Sequence, residues 1–81
     1  MHNMEVYTVK LTIRTYLEQH NATAYRLWKA SGLPKNTAYA LASGKTTRID
    51  LDTLGKVVYG LEQITGQKIT PNDLLEVIRD A

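Results

Sequence analysis

Apolar positions along the chain change period several times, and each change predicts an element. Tyr7, Val9 and Leu11 alternate with Thr8 and Lys10 in a β-branched and aromatic run, which predicts a short strand over residues 5–10. From Leu11 the period becomes helical: Ile13, Tyr16, Leu17 and His20 form one stripe of a first helix running to about Gln19. Residues 21–23 interrupt that stripe. Thr23 is the expected N-cap of a second helix, Ala24–Ser31, with Leu27 and Trp28 toward the core. Gly32 is suited to stop it in a left-handed conformation. Pro34 then opens a third helix, Lys35–Ser43, with Ala38, Leu41 and Ala42 on one side and Gly44 at its end.

Beyond the polar stretch 45–48, residues 48–51 read as extended. Asp50 is the expected cap of a fourth helix that turns Leu51, Leu54, Val57 or Val58, Leu61 and Ile64 inward. Gly55 and Gly60 interrupt this helix, and Gly66 is its expected C-cap. Thr70, Pro71 and Asp73 have the spacing of a capping box and predict a fifth helix over residues 71–79, made apolar by Leu74, Leu75, Val77 and Ile78. The pattern therefore predicts an all-α fold: five compact helices preceded by a short strand.

Length and composition narrow the class. Eighty-one residues make one domain, and 43% hydrophobic with 22% charged residues is ordinary globular composition. No cysteine is present, which excludes disulfides, thiolate zinc sites and cysteine nucleophiles. Two histidines, His2 and His20, cannot complete a metal cage without carboxylate help. No apolar run reaches the roughly 18 residues that span a bilayer. The start of the chain also lacks a basic region followed by an apolar one. A cytoplasmic protein without membrane contact is expected, and so is the absence of any metal or cofactor.

Charge changes the picture more. The net charge is only +2, yet residues 1–48 carry seven basic residues against two acidic ones, so the remainder is net acidic. Between Glu18 and Asp50 there is no acid at all, while Arg26, Lys29, Lys35, Lys45 and Arg48 fall there. A polyanion is the first partner such a segment brings to mind, and a solvated basic face is the other reading that charge alone allows.

The order of punctuation in that segment carries a resemblance. Residues 23–45, with Thr23 at a helix start, Gly32 at a turn, the small-residue third helix and Gly44 at its stop, resemble the helix-turn-helix of the Xre family of lambda-repressor-like regulators. Asp50 to Leu54, Gly60 with Leu61, Thr65 with Gly66, and Pro71 to Leu75 are similar to the fourth and fifth helices of the same domain. The resemblance divides the chain into an N-terminal segment, 1–10, and a helix-turn-helix domain, 11–81, with the motif at about 23–44. Two positions depart from the family pattern. Trp28 stands where a small residue is common, and Ala24 where a polar one is common, which puts a phosphate contact at Ala24 in doubt.

The resemblance implies a sequence-specific double-stranded DNA-binding transcriptional regulator, with a repressor expected. Its helix 35–43 would enter the major groove. With Ala38, Leu41 and Ala42 inward, Lys35, Asn36, Thr37 and Ala40 become the candidates for base contact. Thr23, Arg26, Tyr39, Ser43, Lys45, Thr47 and Arg48 are the candidates for the DNA backbone. Each has a plainer reading. Asn36 and Thr37 near a helix start also suit local backbone bonding, Tyr39 also suits covering Trp28, and Arg26 suits a solvated helix face.

An enzyme is not expected. His20 ends an apolar stripe, and neither histidine has a nucleophile or carboxylate at a defined spacing. The rival is a protein-binding module, such as an antitoxin or a phage-encoded partner, using the fifth helix or the N-terminal strand. A DNA-binding copy is expected to work as a homodimer, because one short helix reads few bases. Helix 71–79 and strand pairing over 5–10 between subunits are the two candidate interfaces. The strand is alternatively free to pair within the chain against residues 48–51. No effector domain is expected after the fifth helix.

Overall fold

The computed structural model describes residues 6–80, and the part of the N-terminal segment before residue 6, including His2 and Glu5, lies outside the described residues. In chain order the elements are strand β1 (Val6–Leu11), helices α1 (Ile13–Gln19), α2 (Ala24–Ser31), α3 (Lys35–Ser43) and α4 (Leu51–Thr65), a 3-10 turn (Pro71–Asp73) and strand β2 (Leu75–Asp80).

Helices α2, α3 and α4 begin or end for local reasons. Thr23 Oγ1 accepts from the Arg26 amide at 3.1 Å, so the expected cap of α2 is made. Pro34 (φ −57°) sits at the N-cap of α3 and gives no side-chain cap. Asp50 Oδ1 accepts from the Thr53 amide at 2.7 Å and starts α4. Gly32, Gly44 and Gly66 all adopt positive φ at the C-caps of α2, α3 and α4.

Their inner faces meet in one core. Ile13 and Leu17 of α1, Leu27 of α2, Ala38 and Leu41 of α3, and Val57 and Leu61 of α4 are buried together with Leu33, Ile69 and Leu74. Between Val57 and Val58, Val57 is the fully buried one, and Val58 packs at the margin. Helix α2 packs broadly on both α3 and α4. At the α2–α4 crossing the backbones come close: a Cβ on Gly60 would lie 2.8 Å from Ser31 Cβ and 2.9 Å from its Cα. Gly60 is therefore required for that approach. Gly55, one turn and a half earlier, faces open space.

His20 has a structural role. Its ring stacks on Tyr16 with centroids 4.3 Å apart, and Nδ1 lies 3.0 Å from the Tyr16 carbonyl oxygen.

Three expectations need correction. First, the fold is not all-α with five helices, for the described residues hold four α-helices and a two-stranded sheet. The capping box at Thr70 and Asp73 forms, but it opens only the 3-10 turn, after which the chain extends into β2. Second, β1 pairs antiparallel with β2, Val9 opposite Val77 and Leu11 opposite Leu75, and not with residues 48–51. The Thr12 amide prolongs this pairing by donating to the Leu74 carbonyl at 2.8 Å. Residues 74–78 satisfy both a helical and an alternating pattern. Pairing of the β-branched Val77 and Ile78 with a strand more than sixty positions away decides for the latter. Third, Leu51 does not turn inward. It stands at the first position of α4 with 83% of its surface exposed.

Candidate nucleic-acid interface

Helix α3 presents two distinct sides. Ala38 and Leu41 are buried, whereas Lys35, Asn36, Tyr39 and Ser43 are exposed and Thr37 and Ala40 half-buried. Asn36, Ala40 and Ser43 follow one another along the outward side at helical spacing, with Thr37 beside them. The side chains of Asn36 and Thr37 make no hydrogen bond within the chain among the described residues, and Pro34 occupies the cap position. The plainer reading of these two as local backbone partners therefore finds no bond to support it. Ser43 Oγ does bond locally, donating to the Ala40 carbonyl at 2.9 Å, which leaves its lone pairs for an outside donor.

A cluster of rings and ammonium groups borders the start of α3. Tyr25 and Trp28 meet edge to face at 5.7 Å. Lys29 Nζ lies 4.6 Å from the Trp28 ring centroid and 5.7 Å from that of Tyr25. Lys35 Nζ lies 5.4 Å from Trp28 and 5.7 Å from Tyr39. One indole thus holds two ammonium groups from two helices, each contact contributing about 0.5–1 kcal/mol at an exposed site. Trp28 keeps its other side against the core. Holding lysine ammoniums in place lowers the rotamer entropy lost when they meet an anion. Trp28 and Lys29 belong to this cluster, although the sequence reading set them aside as core and solvated helix charge. Tyr25, Trp28 and Lys29 at i, i+3 and i+4 were a legible face of α2, but the meeting with Lys35 depends on the α2–α3 turn.

Arg26 lies on the neighbouring surface, in a groove it shares with Tyr25, Lys29 and Gln63, so the basic surface runs from Arg26 through Lys29 to Lys35. Thr23, its hydroxyl oxygen engaged by the α2 cap, sits at the exposed start of that helix. Lys45, past Gly44, is exposed. Thr47 and Arg48 lie farther along, lining a groove against β1 and β2. Arg14 of α1 adds a cation that the sequence did not place here. A Cβ on Gly44 would lie 3.2 Å from its Cδ, while its Nε pairs with Glu18 at 3.2 Å. Thirty positions separate Arg14 from Gly44, so no local signal linked them.

Electrostatically the segment is unneutralised. Arg26, Lys29, Lys35, Lys45 and Arg48 form no ion pair among the described residues. The nearest acid in sequence, Asp50, is occupied with its cap. The hydrogen bonds from Thr53, the amide foremost, hold its carboxyl below the ordinary carboxylate range, and Lys56 pulls the same way. Among the described residues no three His, Asp or Glu side chains gather as a metal site, and no helix is long and apolar enough to cross a membrane.

A family model, the Cro/C1-type helix-turn-helix DNA-binding domain, matches residues 12–62, which take in α1, α2, α3 and most of α4. Both strands of the sheet fall outside that match. No curated protein and no solved structure matches the chain significantly.

Proposed function

The chain belongs to the Cro/C1-type helix-turn-helix DNA-binding domain family, and on that premise we propose that it is a transcriptional repressor that occupies a specific operator as a homodimer. The observation that carries this reading is the outward side of α3, polar and small, with uncompensated cations on both flanks.

In this reading α3 lies in the major groove. Asn36 offers an amide that matches the paired acceptor and donor of adenine, and Thr37 a hydroxyl to a base edge. Ala40 lets the helix approach and meets a thymine methyl. Lys35, held against Trp28 and Tyr39, reaches a guanine or the phosphate beside it. Thr23, Arg26, Tyr39, Ser43, Lys45, Thr47 and Arg48, now joined by Lys29, meet sugar and phosphate, which fixes register and supplies affinity without reading sequence. The functional unit is the homodimer, whose two helices read the halves of a palindrome. The rival, a protein-binding module, loses its fifth helix because that segment is β2.

Selection from a random duplex pool tests the assignment. The wild-type chain is expected to enrich a two-fold symmetric site. Asn36→Ala is expected to lose its preference at one base pair of each half by about 1–3 kcal/mol while keeping the rest. A pool that stays random after repeated rounds, from a folded chain, would sink the sequence-reading role of α3.

A further inference from the structure

We propose that strand β1 extends the DNA interface beyond the helix-turn-helix, with Lys10 and Thr8 seating a phosphate of the DNA backbone in a pocket shared with the chain that leaves α3. The inference rests on the operator-binding reading and adds to it two residues that lie outside the stretch matched by the family model.

The pocket, of about 400 Å³, lies between β1 and the residues just past α3. Thr8 and Lys10 line it from the strand, and Gly44, Thr46 and Thr47 form the other wall. Val9 and Leu11 reach it as well. Successive side chains of a strand leave on opposite faces, so four consecutive residues meet one space only along the strand's edge. β2 occupies the other edge of β1, which makes this edge the open one.

The chemistry of the lining selects an anion. The hydroxyls of Thr8, Thr46 and Thr47 make no hydrogen bond, and the Lys10 ammonium no ion pair, among the described residues. No carboxylate is part of the lining. Glu76 stands opposite Lys10 in the register of the ribbon, yet the two form no ion pair. Glu18, the other acid of this end of the molecule, is paired with Arg14 beside Gly44. An ammonium and hydroxyls around one space are the donors that hold phosphate oxygens, and a charged partner makes such bonds strong.

Position selects the source of the phosphate. Gly44 closes α3 directly after Ser43, the last residue on the outward side of that helix. A helix that reads the major groove ends beside the phosphates that wall it, so a space opening at its last turn faces the DNA backbone. Lys45, exposed between Gly44 and Thr46, brings a second uncompensated cation to the same place.

Fluorescence anisotropy of a labelled duplex over a salt series tests the proposal on the full chain. Lys10→Thr removes the ammonium and keeps strand propensity, so circular dichroism should report an unchanged fold. Its affinity is expected to fall about threefold to tenfold at low salt, and its salt slope to become shallower by about one, as for the loss of one phosphate contact. The same loss is expected on a duplex of any sequence, because the contact reads no base. Lys10→Arg, which keeps the charge, is expected to keep the wild-type slope. Thr8→Val keeps the branched shape and loses the hydroxyl. It is expected to weaken binding about threefold at an unchanged slope, and it decides the matter should Lys10→Thr fail to fold. Wild-type affinity and slope in these variants, from a chain that binds duplex, overturn the proposal and leave the regulator reading standing. A folded wild type that binds no duplex even at the lowest salt overturns both.

Discussion

Gly60→Ala should destabilise the domain by about 1–3 kcal/mol, although alanine is the better helix former by about 1 kcal/mol. The new methyl would enter the α2–α4 crossing against Ser31, whose Cα and backbone nitrogen lie 2.9 and 3.0 Å from the Cβ position. Backbone atoms there cannot step aside as a flexible side chain would, so the helices must separate and loosen the packing around Leu27 and Leu61. For a small domain that is a large share of its total stability. Gly55→Ala in the same helix supplies the contrast. Its Cβ meets nothing within 4 Å, so the propensity gain stands alone and should stabilise by about 0.5–1 kcal/mol. Urea unfolding of both variants at one protein concentration reads the two signs. A Gly60→Ala variant as stable as the wild type would mean that α2 and α4 are not so closely apposed.

Ala40→Glu should abolish duplex binding and leave the fold in place. Position 40 lies on the outward side of α3 between Asn36 and Ser43, half-buried, and away from the buried Ala38 and Leu41. Glutamate is a good helix former, and its carboxylate can reach water in the free protein. In the groove it brings a negative charge against phosphates and carbonyl edges, and like-charge juxtaposition costs several kcal/mol. Affinity should fall at least about a hundredfold at moderate salt, with circular dichroism unchanged. Retained affinity would move the contact surface away from α3.

Much of this was legible in the chain. Caps and stops carry their own local chemistry: the Thr23 hydroxyl, the Asp50 carboxylate, and Gly32, Gly44 and Gly66 at positive φ place the helices nearly to the residue. The inward set of α3 follows from periodicity, and so does the outward set that forms the candidate site. What failed was decided over distance. The segment after Asp73 carries a helix signal in its capping box and a strand signal in Val77 and Ile78, and β1, at the other end of the chain, decides between them. Leu51 reads as the first residue of an apolar helical stripe, but at the first turn of α4 it lies beyond the reach of the core. The ring and ammonium cluster was half visible, since each helix displays its own pair, while the junction at Trp28 exists only after α2 and α3 fold together.

Duplex affinity as a function of salt tests the central claim most directly. A labelled double strand followed by fluorescence anisotropy should bind the wild-type chain with an affinity that falls log-linearly as salt rises. Lys45→Ala, at an exposed cation with no ion pair among the described residues, should make that slope shallower by about one. A folded chain that gives no signal even at the lowest salt, or one whose affinity is indifferent to salt, would contradict the assignment of this surface to DNA.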